Sequence, residues 1–259
     1  MKNKLLLAIA SFLLSLNASA ADRNLPRNAL SAFPTVVIPV MANNPGIIPG
    51  TFFKTKVAII NPTQLAYPIQ VTLYDGTGQV GQTTINMSAG QLRNYDNFLE
   101  QVFGRSGAGS VVFNSGAGVP GGSSANDFIV SAEVFTDSPT GKYKTVVTSG
   151  ALLDAVSNLS QAYSLGITVD GTTRTNVGAF NDTDSPNVIN ADIYNAAGTL
   201  LSTVTLTLTA RSWAQVGVPT SVTNGYIRWR TDGLAYCYAV VVDNLSNDGT
   251  FVPGAEFAQ

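Results

Sequence analysis

Along the chain, apolar and polar residues alternate in short runs broken by glycine, proline and asparagine. Ile69, Val71 and Leu73 alternate with Gln70 and Thr72, while Ile189, Ala191 and Ile193 alternate with Asn190 and Asp192. A period of two means a strand with one face buried and the other wet. Each run ends in a tyrosine, Tyr74 or Tyr194, followed by a glycine-containing turn (75–78 or 195–198) and another alternating stretch. Each therefore reads as a hairpin. Further strands are predicted at 110–113, 128–135, 203–208, 226–230 and 234–242. Residues 35–41 contain Pro39, which lacks a ladder donor, and predict an edge strand. In the first half only 96–103 has helical spacing, with Asp96 as its cap and Leu99, Val102 and Phe103 turned inward.

The pattern repeats itself at an offset of 120 residues. Lys54, Thr55 and Val57 fall on Arg174, Thr175 and Val177, Asn61 falls on Asn181, and Tyr74 and Gly78 fall on Tyr194 and Gly198. The expected architecture is all-β: two tandem immunoglobulin-like antiparallel β-sandwiches related by this internal repeat, over 34–150 and 151–259. An arm at 21–33 precedes them. Charged residues make up only 12% of the chain, which suits strands and turns better than helices.

Residues 1–20 have the layout of a secretory signal. Lys2 and Lys4 precede a mostly apolar stretch at 5–16, and Ala18 and Ala20 place small side chains before the expected cleavage point. The stretch is shorter than the roughly 20 apolar residues of a membrane span. Removing residues 1–20 leaves 12 basic against 16 acidic side chains, a formal charge of −4. That balance argues against nucleic acid, which calls for a basic face. The expected location is secreted, extracellular or periplasmic, with no membrane span in the mature chain.

Three stretches together resemble tandem β-sandwich modules of secreted bacterial proteins: residues 53–57 with Asn61 and Pro62, residues 71–78, and residues 238–244 with 251–253. The resemblance covers nearly all of the chain after residue 20 and implies the fold, with no activity to carry over. The second copy departs from the first at Asp182, which stands where the first has Pro62. The first carries a glycine-rich insertion.

The chain has no histidine, which removes histidine-dependent nucleophile activation and the commonest zinc and copper ligands. Cys237 lies in an apolar run and reads as a small buried hydrophobe. Glu133 falls on the wet face of its strand with Ser131 and needs no catalytic role to explain it. Residues 104–109 have glycines spaced as in a phosphate loop, but they lack its lysine and lead into a strand, so they read as a turn. No catalytic residue is assigned.

Two acidic-amide clusters offer the oxygen ligands calcium takes: Asn181, Asp182 and Asp184, and Asp243, Asn244, Asn247 and Asp248. Tight turns call for the same residues. The insertion at 114–127, with Gly118, Pro120, Ser123 and Asn126, reads as a binding tip or a flexible hairpin. Tyr67, Tyr74, Tyr194, Tyr226, Trp213 and Trp229 are candidates for a sugar-stacking platform. Because Tyr74 and Tyr194 repeat at the offset, a structural role at a strand end is favoured for them, and the alternation of Trp229 with Arg228 and Arg230 points Trp229 into the core.

Together these features lead to the expectation of a non-enzymatic structural or adhesive protein of the cell surface or extracellular matrix. Its partners would be proteins or glycans there, or further copies of itself joined by strand addition through the arm and the edge strand. The alternative is an extracellular carbohydrate- or protein-binding module. An aromatic row on an exposed face would favour this second reading. Calcium is the one cofactor left open.

Overall fold

The computed structural model describes residues 35–115, 128–138, 141–148 and 155–257. The expected signal (1–20), the arm (21–33), the loop residues Gly118, Pro120, Ser123 and Asn126, and the boundary between 150 and 151 lie outside these residues. The chain is all-β, built from antiparallel sheets. No described helix is long and apolar enough to cross a membrane.

The first half contributes β1 (Thr35–Pro45), β2 (Phe52–Ile60), β3 (Tyr67–Asp75), β4 (Gly78–Met87), β5 (Leu92–Tyr95), α1 (Phe98–Phe103), β6 (Gly107–Asn114), β7 (Ile129–Ser138) and β8 (Gly141–Val147). They form one eight-stranded sheet in the order β4-β3-β6-β1-β2-β7-β8, with β5 on β2. Ile38, Ile69, Val71, Ile85, Val111 and Phe113 from one part of this sheet share a core with Val57, Ile59, Val130 and Ala132 from the other. The chain thus folds its own sheet over a single apolar layer.

Two sequence expectations are corrected here. Strand β1 stands between β6 and β2 in the sheet order, not at an edge. Pro39 sits within the register shift between Ile38 and Met41, and a bulge is where a strand interior tolerates a missing N–H. The helix cap falls one residue later than expected, at Asn97. The Asn97 side chain donates to Asn43 Oδ1 (2.9 Å), while Asp96 pairs with Lys56. Gly104, with φ 62°, closes the helix as a left-handed cap, so residues 104–109 are a helix end and the start of β6.

The second half contributes β9 (Gln161–Val169), β10 (Thr173–Asn181), β11 (Asn187–Tyr194), β12 (Leu200–Leu208), β13 (Trp213–Gly217), β14 (Val222–Thr231), β15 (Ala235–Asp243), β16 (Gly249–Pro253) and β17 (Ala255–Phe257). They form a four-stranded sheet, β13-β10-β15-β16, and a five-stranded one, β12-β11-β14-β9-β17. Ile167, Val177, Ala179, Ile189, Ile193, Ile227, Trp229, Cys237 and Ala239 fill the core between them.

The described residues form one compact unit. Along β15, Cys237 and Ala239 join the second core, whereas Tyr236, Tyr238 and Val240 pack against the first. The four-stranded sheet is therefore apolar on both faces, and its second face closes the core of the first half. Tyr238 is fully buried there and stacks on Phe251 (5.3 Å). Trp213 Nε1 donates to its hydroxyl (3.0 Å), which donates on to Gln215 Oε1 (3.1 Å). Gly178 is the cross-strand partner of Tyr238, and a Cβ at 178 would overlap the tyrosine ring and its oxygen.

Gly178→Ala is therefore expected to cost about 3 kcal/mol through overpacking. Tyr238→Phe, which strands the Trp213 donor, is expected to cost about 1–3 kcal/mol. In denaturant titrations, Gly178→Ala combined with Tyr238→Leu should cost less than the two single changes added together, because the smaller side chain vacates the site of overlap.

Candidate functional site

The five-stranded sheet turns one face to its core. The other carries a row of aromatic and apolar side chains, with two half-buried tyrosines between two exposed leucines. Cross-strand register sets the row: Leu200 lies opposite Tyr194, Tyr194 opposite Tyr226, and Tyr226 opposite Leu165. Leu200 is 50% exposed and Leu165 66% exposed, so the row is open at both ends. Tyr194 and Tyr226 stack in parallel, with centroids 4.9 Å apart and planes 4° apart, and Tyr163 tilts toward Tyr226 at 6.3 Å.

The next row along the strands is polar. Asp192 lies opposite Thr203 on one side and Arg228 on the other, with Tyr163 beyond. Its side chain is 1% exposed although it sits on the outer face, because its neighbours enclose it. Arg230 reaches both carboxylate oxygens (2.7 and 2.8 Å), Arg228 donates to Oδ2 (2.9 Å) and Thr203 Oγ1 donates to Oδ1 (2.8 Å). Arg228 also lies over the Tyr194 ring, 5.3 Å from its centroid. The hydrogen bond from Arg230, aided by Arg228 and Thr203, holds the Asp192 carboxyl well below the usual carboxylate range, against the opposing effect of burial. The carboxylate thus pins the arginines and tyrosines into one rigid surface.

A second concavity lies where the halves meet. It has a volume of about 250 Å³ and is lined by Val40, Phe53 and Tyr143 from the first half and by Arg174, Val240 and Phe251 from the second. Arg174 is held by two amide oxygens, Asn244 Oδ1 (2.8 Å) and Asn247 Oδ1 (2.7 Å). Asn247 in turn donates to Thr51 Oγ1 across the junction (3.1 Å).

The calcium candidates divide between opposite ends of β10. Asn181 Nδ2 donates to the Ser185 and Thr209 carbonyls, and its Oδ1 accepts from Thr183. Asp182 and Asp184 both pair with Arg211. At the other end, Asp243 Oδ1 accepts from the Leu245 and Ser246 backbone and from the Ser246 hydroxyl, while Asp248 N–H donates to Ser246 Oγ. These are the turn roles open to the same residues. Among the described residues, no three His, Cys, Asp or Glu side chains group as metal ligands.

Glu133 pairs with Lys144 at the surface (3.1 Å). Trp229 is fully buried, with its Nε1 donating to Ser164 Oγ (2.9 Å), and Cys237 is buried, which pushes its thiol well above its ordinary range. Of the aromatic candidates, Tyr194 and Tyr226 come together on the outer face. Tyr74 packs on Phe180 instead, and Tyr67 is buried. Sequence reading missed Tyr163 and Leu165. The signal was present in β9, where Tyr163 and Leu165 alternate with the buried Ala162 and Ser164. No protein-family model and no curated protein matches the chain.

The depressed carboxyl of Asp192 fixes the sign of its contribution to stability. The contribution is present above the unfolded carboxyl range, near 4, and is lost as pH falls through the native value. Discounting for the partly exposed arginines, Asp192→Asn is expected to cost about 1–2 kcal/mol at neutral pH. In urea titrations repeated down the acid range, the gap between the variant and the native chain should narrow.

Proposed function

We propose that the chain is an exported, non-enzymatic structural or adhesive protein of the cell surface or extracellular matrix, which meets its partner through the tyrosine face of its second half. The observation that carries this reading is the outward row of Leu165, Tyr226, Tyr194 and Leu200, exposed at both ends and locked from beside by the Asp192 ion pairs. Contiguous exposed aromatic and apolar surface marks interaction sites, and pre-ordered tyrosines lose little entropy on binding. The body behind the face is read as two immunoglobulin-like sandwiches related by an internal repeat. Two matched hydrogen-bond sets support this. Asn61 holds the Leu65 and Ser88 carbonyls and accepts from Thr63, as Asn181 does with Ser185, Thr209 and Thr183. Thr55 and Thr175 each bridge the backbone of a neighbouring strand, at Ala42 and Thr168.

The alternative of a carbohydrate-binding module has the expected aromatic row in its favour. Its difficulty lies in ring geometry: sugar rings stack on open aromatic faces, and here Tyr194 and Tyr226 each turn one face to the other while Arg228 lies over Tyr194. A protein surface is the better fit.

The test supplies purified chain to cells lacking its gene and measures the surface-bound fraction. Tyr226→Ser with Leu165→Ser should weaken binding by about 2 kcal/mol, roughly thirtyfold, without changing the fold by circular dichroism. Unchanged binding by the double variant would overturn the reading. Saturable quenching of tyrosine fluorescence by simple sugars would instead assign the face to glycans.

A further inference from the structure

Open strand edges are templates for another chain, and natural proteins blunt them with charge, proline, glycine-rich irregularity or short length. Most edges of this protein are blunted in these ways. Strand β8 carries Lys142 and Lys144, and β16 has five residues and ends in Pro253. The edge strands β13 and β17 have five and three residues. Strand β4 is uncharged but is interrupted by Gly81, beside which Phe103 packs.

Strand β12 has none of these defences. It has nine residues, Leu-Leu-Ser-Thr-Val-Thr-Leu-Thr-Leu, without charge, proline or glycine, and among the described residues it ends the five-stranded sheet. Its one irregularity, a register shift opposite Ile193 and Tyr194, lies at the hairpin end and leaves 202–208 regular.

We infer that β12 pairs antiparallel with β12 of a second copy, in a two-fold dimer whose register is centred on Thr205. Thr205 is the midpoint of the regular stretch, so this register pairs the whole of 202–208 with itself. Thr203 then meets Thr207 of the second copy and Thr205 meets Thr205 on the outer face, while Val204 meets Leu206 on the core face. Cross-strand threonine pairs and apolar pairs both stabilise sheets, and a strand with this pattern is complementary to itself. The half-buried Val204, which packs on the second core, would be covered by the partner. The two five-stranded sheets become one of ten strands, within the usual limit for an open twisted sheet. The pairing sets the two tyrosine rows on the same side of one continuous surface. The inference deepens the structural reading above by naming a second copy as one partner.

The test is sedimentation velocity on the full chain, from micromolar to roughly millimolar concentration. A concentration-dependent dimer is expected, with Thr205→Lys weakening it at least tenfold by setting like charges opposite each other. Thr84→Lys on β4 should leave it unchanged. Thr205→Cys should form a disulfide-linked dimer under mild oxidation, because Cβ atoms paired across strands lie within disulfide reach and the native Cys237 is buried. Thr207→Cys, which faces Thr203, should not. A chain monomeric throughout, or a dimer indifferent to Thr205→Lys and unlinked by Thr205→Cys, overturns the inference. Either result leaves the tyrosine face to be judged by its own binding assay.

Discussion

The fold depends on a sheet that must be apolar on both sides. The four-stranded sheet β13-β10-β15-β16 closes the second core with Cys237 and Ala239 and the first core with Tyr236, Tyr238 and Val240. A strand that is wet on one face cannot do this, so β15 reads as a nearly continuous apolar run, Ala-Tyr-Cys-Tyr-Ala-Val-Val-Val. Burial of a ring the size of Tyr238 contributes roughly 2–3 kcal/mol, provided that its hydroxyl keeps its partners. Trp213 and Gln215 supply them, and Gly178 leaves the space.

With the first sheet of the second half committed to the junction, the other sheet has an uncovered outer face. A solvated antiparallel sheet normally shows polar side chains outward. Here the outward positions hold an aromatic row and a buried carboxylate instead. Asp192 would be a costly group to bury alone, but with two guanidinium groups and a hydroxyl it becomes the clamp of the surface. The arrangement spends charge on order, leaving hydroxyls, ring edges and two leucines facing solvent.

The β character, the two hairpins and the inward position of Trp229 could all be read from period-two alternation, because each strand has one buried face. The role of β1 could not. Pro39 signals an edge only if the strand is regular, and the bulge at 38–41 is set by the pairing partner β6, more than seventy residues away in the chain. Tyr194 and Tyr226 stood out as residues, but their stacking depends on the register between β11 and β14, which no local pattern encodes. The acidic clusters were ambiguous because turns and calcium draw on the same side chains. In one of them Asp182 and Asp184 pair with Arg211, which lies far from both in sequence and which no local pattern points to.

The junction also carries a kinetic cost. Asn247 reaches Thr51 across 196 residues of chain, and Phe251 bonds to Thr145 across 106. Until those ends meet, the first core lies open on the side that Tyr238 and Phe251 will close. Folds dominated by such distant contacts form in milliseconds to seconds, where local ones need microseconds. The same tie that makes the two halves one body therefore leaves a growing chain with an apolar wall exposed until β15 and β16 arrive.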